Sequence, residues 1–240
     1  NLSSTRTTGD WDFGVKVNSW DEFNKLRLAL LQGPNTMFKP SKILQRLIHA
    51  SGIPIDLVPF GELARPDGTI LWPDDEIEMT VLGFNEAFAH ADWIELDKEV
   101  EIPVVSIPAL VVLKFFSFAD RKRIDDLRDI EFILKNYLQY ENENRIFEEL
   151  AKELSNATMK YEQAGPFLLG KDAGDMCSPQ TLSQLLPLLV SLTNPYSDEI
   201  QGLVGSFGNI DAEEKRRNEI ASLFISFREG INSIADEHYT

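Results

Sequence analysis

Asp10-Trp11-Asp12 opens a stretch, Asp10 to Val17, in which polar and apolar residues alternate. Alternation predicts a strand, and a strand's period of two puts both carboxylates on one face. Such a pair can hold a hard divalent cation through its oxygens. The spacing alone is weak, because Glu76-Ile77-Glu78, Glu99-Val100-Glu101 and Glu141-Asn142-Glu143 repeat it. Each of these, taken singly, is better explained as a solvated strand or turn face. Asp56 adds the context, as the one carboxylate in the apolar run Ile53 to Phe60. Burying it is costly unless it is paired or bound to a metal. It could instead be an edge-strand aspartate turned to solvent, or one satisfied by a buried arginine. If the two strands are neighbours, three carboxylates meet over two Mg²⁺ ions roughly 3.5–4 Å apart, as two-metal phosphoryl or nucleotidyl transfer requires.

Cations that could serve such a site lie downstream. Lys114 is a lone charge within Leu110 to Phe116, on a helix expected to start near Pro108. Its stem either snorkels along the helix edge or its ammonium meets an anion. Arg121-Lys122-Arg123 either steers phosphate or RNA, or forms a solvated helix face. Asp126 and Asp129 stand three apart on one helix face, where they orient Lys114 or Arg121 or simply face water. Arg6 and Thr8 either hold substrate phosphates or brace the first strand.

The elements that must position these residues divide the chain. The first part is mixed α and β. A strand over 10–17 is followed by a capping-box signature, Ser19-Trp20-Asp21-Glu22, and a helix to about Gln32, stopped by Gly33-Pro34. A second helix is expected over 41–50, and a buried strand over 53–60. Further strands are expected over 76–82, 93–96 and 102–105, with a short helix over 84–90. From Pro108 onward, helical spacing predicts two helices through Phe118 and Tyr137. The same period continues to a break at Gly165-Pro166, with further helices over 179–192 and 212–228. Residues 194–209 read as a loop. The fold class is α+β, with a core in residues 1–107, a helical remainder in 108–240 and the active site expected between them.

Composition narrows the function. The chain has 240 residues, 39 acidic and 23 basic, for a net charge of −16. That charge opposes loose binding to nucleic acid or an anionic membrane, so any such contact must be a local basic groove. No apolar stretch is long enough to span a bilayer, and a soluble, cytoplasmic protein is expected. The single cysteine, Cys177, excludes an internal disulfide framework. His49, His90 and His238 are too scattered to suggest zinc.

Arg6-x-Thr8-x-Asp10-x-Asp12-Phe13, followed by Pro54-Ile55-Asp56-Leu57-Val58-Pro59-Phe60-Gly61, resembles the nucleotidyltransferase superfamily that includes polymerase beta. Within it the chain is similar to the minimal AbiEii/AbiGii-toxin-like branch. The likeness continues through Val81-Leu82-Gly83-Phe84-x-Glu86-Ala87, Leu113-Lys114, Ala119-Asp120-Arg121, Asp126-x-x-Asp129 and Phe167-Leu168-Leu169-Gly170-Lys171-Asp172. The resemblance implies that Asp10 and Asp12 bind two Mg²⁺ ions, with Mn²⁺ as a substitute. Asp56 would bind one of them and help deprotonate the acceptor, and Lys114 would reach the triphosphate. It also implies an NTP as donor, an acceptor hydroxyl on tRNA, protein or a small molecule, and an antitoxin partner. Two features depart from the pattern. The Gly-Gly or Gly-Ser pair that precedes the first aspartate is not among residues 1–9, and Asp125 stands where a lysine is usual. A catalytically silent interaction protein that keeps the fold is the rival expectation.

Overall fold

A computed structural model describes residues 9–139, 142–206 and 208–238. Arg6, Thr8 and Glu141 lie outside them. The chain forms two compact units, Asn1–Asn85 and Glu86–Thr240.

The first unit is built on a four-stranded sheet. Its strands are β1 (Trp11–Lys16), β2 (Phe38–Pro40), β3 (Arg46–His49) and β4 (Pro54–Phe60), in the order β1-β4-β3-β2. β1 runs parallel to β4, and the other pairs are antiparallel. Between β1 and β2 lies α1 (Trp20–Leu31). Ser19 starts this helix, its Oγ accepting from the Glu22 amide at 3.3 Å, while the Glu22 carboxylate accepts from the Asn18 amide at 2.8 Å. The capping residues anticipated from sequence are thus in use, with the return bond one residue earlier than in the standard box.

Apolar residues from the sheet and α1 form one core. Phe23 and Leu47 are fully buried, and Leu57, Phe60, Ile70 and Trp72 surround them. Trp20, Phe23 and Trp72 pack ring against ring, with centroids 5.3 to 6.1 Å apart. A two-stranded sheet of β5 (Thr69–Leu71) and β6 (Glu78–Thr80) contributes Ile70 to this core.

The helix expected over 41–50 is not formed. A turn closes from the Arg46 amide to the Ile43 carbonyl at 3.0 Å, and the chain then pairs with β4 through β3. Leu44, Leu47 and Ile48 satisfy a helical period, but three apolar residues in so short a window fit a strand as well. The hairpin turn at Gly52 decides it, because φ of +88° there favours glycine.

In the second unit, α2 (Phe84–Ala89), whose first two residues belong to the first unit, leads to a hairpin of β7 (Asp92–Asp97) and β8 (Val100–Val104). There follow α3 (Ile107–Arg121), α4 (Ile124–Asn136), a 3₁₀ turn over Tyr137–Gln139, α5 (Arg145–Glu149) and α6 (Ala151–Ser155). The remaining helices are α7 (Tyr161–Met176), α8 (Pro179–Leu192), α9 (Asp198–Val204) and α10 (Ile210–His238). The break expected at Gly165-Pro166 does not occur, and α7 runs through it. Proline costs one bond here, to the Glu162 carbonyl, one turn into the helix where Glu162 is exposed and water can serve instead. Residues 194–209 are not wholly loop: Ser197 caps α9, its Oγ accepting from the Ile200 amide at 3.3 Å.

Two motif residues prove to be structural. Glu86 accepts from the Thr181 hydroxyl at 2.6 Å and from the Ser178 amide at 3.3 Å, tying α2 to the start of α8. Burial pushes its carboxyl up, but the bonds from Thr181 and Ser178 outweigh burial and hold it below the usual glutamate range. Burial, with the Glu86 charge adding, pushes the Cys177 thiol up to about 12, so it stays protonated and inert. Asp172 accepts from Arg145 at 2.7 and 2.8 Å and from the Tyr137 hydroxyl, while Arg145 and Lys171 both donate to Glu149. Among the described residues no helix is long and apolar enough to cross a membrane.

α7 and α10 meet at Gly170 and Gly230. A Cβ on Gly170 would run into the Phe227 carbonyl, and one on Gly230 into that of Phe167. Alanine in a helix normally gains about 1 kcal/mol over glycine, yet here the obstacle is backbone and cannot rotate away. Gly170→Ala should therefore destabilise the chain by about 1–3 kcal/mol, the usual cost of overpacking. Urea unfolding measures this, and a variant as stable as the parent would refute the close helix contact.

Candidate functional site

The parallel register of β1 with β4 sets Asp12 directly beside Asp56. The antiparallel register of β3 with β4 sets Arg46 on Asp56's other side. Residues paired across a sheet project to the same face, so Asp12, Asp56 and Arg46 form one transverse row. Asp10, just before β1, is brought to the same row by Arg46, whose Nη2 lies 3.5 Å from it. Leu47 and Leu57, the next residues along β3 and β4, point the opposite way into the core. Alternation thus separates an apolar face from a charged one.

Arg46 is the hub of the charged face. Its Nε donates to Asp56 Oδ1 at 2.7 Å and its Nη2 to Asp56 Oδ2 at 2.6 Å. The same Nη2 stands 3.5 Å from Asp10 Oδ2. The Asp10 and Asp56 oxygens can therefore lie no farther apart than these two contacts laid end to end. The Asp56 side chain is 16% exposed, Arg46 31% and Asp10 43%. The Asp56 bond raises the guanidinium pKa above its ordinary value, burial opposes this, and the charges of Asp56, Asp10 and Asp12 all raise it. The field of three carboxylates converges on one cation.

This geometry chooses among the readings of Asp56. β4 lies inside the sheet, between β1 and β3, so Asp56 is not an edge-strand residue. Its carboxylate is compensated by an arginine. Among the described residues no three His, Cys, Asp or Glu side chains are grouped so as to hold a metal ion; the guanidinium stands between Asp56 and Asp10 instead. The donor chemistry nevertheless fits a hard cation, since the available groups are carboxylate oxygens and the position already draws a positive charge. Sequence reasoning missed Arg46 because residues 41–50 read as a helix. The usable signal was Arg46-Leu47-Ile48-His49 before Ser51-Gly52, a hairpin pattern that counts back from Asp56 to Arg46.

The other acidic pairs behave differently. Glu78 pairs with Arg65 at 2.9 Å on β6, and Glu99 and Glu101 are exposed at the β7–β8 hairpin. Glu101 faces Glu95 across that hairpin, but all three carboxylates there are exposed to solvent.

The remaining site residues form pairs between α3 and α4. Lys114 Nζ donates to Asp129 Oδ2 at 2.7 Å. Arg121 Nη2 donates to Asp126 Oδ1 at 3.0 Å and Oδ2 at 3.2 Å. α3 ends at Lys122, whose φ is +53°, and its ammonium lies 5.2 Å from the centre of the Phe118 ring. Asp125, the acidic departure from the pattern, is met by Arg128 at 3.0 Å and Arg123 at 3.7 Å. Thus the basic run is spent on helix-end contacts and on carboxylates one turn away in α4, and Lys114 is neither snorkelling nor unaccompanied.

The sheet with its acidic row marks the candidate site, and comparison with protein families gives the class. The model of the family described as "Nucleotidyl transferase AbiEii toxin, Type IV TA system" matches residues 3–202. The chain belongs to this family of toxins. No curated protein and no solved structure matches it significantly.

The Lys114–Asp129 pair is about three-quarters covered, with side chains 23% and 31% exposed. Pairs still in reach of solvent contribute about 1 kcal/mol or less. A double-mutant cycle of Lys114→Ala and Asp129→Asn, read by urea unfolding, should give a coupling of about that size. A coupling above about 3 kcal/mol, the range of buried pairs, would make Lys114 an architectural residue.

Proposed function

We propose that the chain transfers a nucleoside monophosphate from an NTP to a hydroxyl acceptor, with release of pyrophosphate. The observation that carries this reading is the register that sets Asp12 beside Asp56, with Asp10 brought to the same place by Arg46, 3.5 Å away. Asp10, Asp12 and Asp56 would hold two Mg²⁺ ions, or Mn²⁺ in their place. Bound there, the ions would neutralise charge on the attacking and leaving oxygens. Asp56 would accept the proton of the acceptor hydroxyl as its oxygen bonds to the α-phosphorus and the α–β anhydride breaks. Lys114, held by Asp129, would offer the triphosphate a point charge. Arg121, held by Asp126, would offer a second, and Arg6 and Thr8 would add phosphate contacts.

The family name supports nucleotidyl transfer and a place in a toxin–antitoxin system. We infer a cytoplasmic site of action, an antitoxin as counterpart, and as acceptor a tRNA, a protein or a small molecule. A charge of −16 leaves tRNA as a target only through a confined basic groove. The Arg46–Asp56 pair favours a second reading, a silent interaction protein in which arginine has replaced the metal for good.

Labelling separates the two. Full-length protein incubated with each α-labelled NTP, Mg²⁺ and total RNA or cell lysate should transfer label, and Asp12→Asn should abolish transfer while the chain stays folded. Absence of transfer to any acceptor, from every NTP, would favour the silent scaffold.

Lys114→Ala should weaken NTP binding by at least about 1.5 kcal/mol, the low end for bonds to charged groups. Fluorescence titration measures it, and an unchanged affinity would remove Lys114 from the nucleotide site.

A further inference from the structure

The charged face of the sheet holds more than its carboxylates. Arg46 is delivered by the backbone, opposite Asp56 in the β3–β4 register. Its fork engages both Asp56 oxygens at 2.6 and 2.7 Å, the bidentate geometry that makes arginine–carboxylate pairs strong and directional. The same terminal nitrogen reaches toward Asp10 at 3.5 Å. While that fork is in place, both Asp56 oxygens accept from it, and no three carboxylates among the described residues are grouped for a metal.

We propose that Arg46 is a built-in counter-ion that competes with the divalent cation for Asp56. The proposal rests on the reading of Asp10, Asp12 and Asp56 as metal ligands. A hard cation and a guanidinium compete for these two oxygens: each oxygen keeps a second lone pair, but the fork takes the bidentate approach and two positive charges at contact distance repel. The arginine therefore has two effects of opposite sign. It stabilises the metal-free sheet by pairing Asp56, whose carboxylate stands beside that of Asp12 in the β1–β4 register. It also weakens metal binding, since an ion that binds Asp56 must displace the fork or bear its repulsion. Arg46 is on this account a positioning residue, acting through Asp56.

Mn²⁺ titration of the full chain, followed by electron paramagnetic resonance of the free ion, tests this with four proteins: wild type, Arg46→Gln, Arg46→Lys and Asp56→Asn. Arg46→Gln should bind Mn²⁺ at least about tenfold more tightly than wild type, the factor expected for losing a charged bond that competes for the same oxygens. Arg46→Lys should fall between them, because a point charge replaces the fork. In EDTA, Arg46→Gln should melt below wild type and gain more on addition of Mn²⁺. Asp56→Asn should lose the ion that Asp56 holds. Equal or weaker affinity in Arg46→Gln, with binding still dependent on Asp56, overturns the competition alone and makes Arg46 a brace for the ligands. If neither wild type nor Arg46→Gln binds Mn²⁺ saturably, the metal reading fails and the competition fails with it. Should Arg46→Gln not fold, Arg46→Lys decides: tighter binding than wild type supports the proposal, and unchanged binding overturns it.

Discussion

Two carboxylates paired across a sheet repel unless a cation joins them, and the pairing of β1 with β4 imposes that situation at Asp12 and Asp56. Much of the first unit follows from meeting this demand. β3 must lie on the far side of β4 in the register that brings Arg46 opposite Asp56. A shift of that register by one residue would turn Arg46 toward the core and Leu47 toward the charged face. The apolar face, with Leu47 and Leu57 against Phe23 of α1, therefore holds the charged face in place. Burial of the core and assembly of the acidic row are one choice of register seen from two sides.

The second unit meets a different constraint, the close approach of α7 and α10. Gly170 and Gly230 remove the side chains that would keep the helices apart. On the neighbouring helices Phe115 stacks on Phe227 with centroids 5.6 Å apart, so α3 leans on the same ridge of α10. The position of α3 sets that of Lys114 and Arg121, and α4 answers them with Asp129 and Asp126. These pairs hold two cations in defined places at little cost, since neither carboxylate is left unpaired in a covered position.

Motif residues consequently divide by what they touch. Asp12 stands beside Asp56, and Asp56 and Asp10 share one cation, Arg46. Glu86, Gly170 and Asp172 are equally part of the pattern that marks the branch, yet they cap α8, let two helices meet, and anchor Arg145 with Tyr137. A pattern read along the chain does not distinguish the two kinds, because both are positions where substitution would be costly.

Strong local signals were legible without the structure. Alternation set β1, a capping serine and glutamate set the start of α1, and helical spacing over 179–192 set α8. The aspartate pair and the lone aspartate of β4 were equally plain, since a charge inside an apolar run has few explanations. Where local preference was weak or opposed, long-range contacts decided. Residues 46–49 became a strand because β4 offered partners, Pro166 stayed helical because α7 is largely buried from Ala164 onward, and α9 formed where turn residues suggested only loop. Arg46 belongs with these. The type and number of an arginine say nothing of its partner, and only the sheet, by carrying one strand back beside another, sets its guanidinium against Asp56.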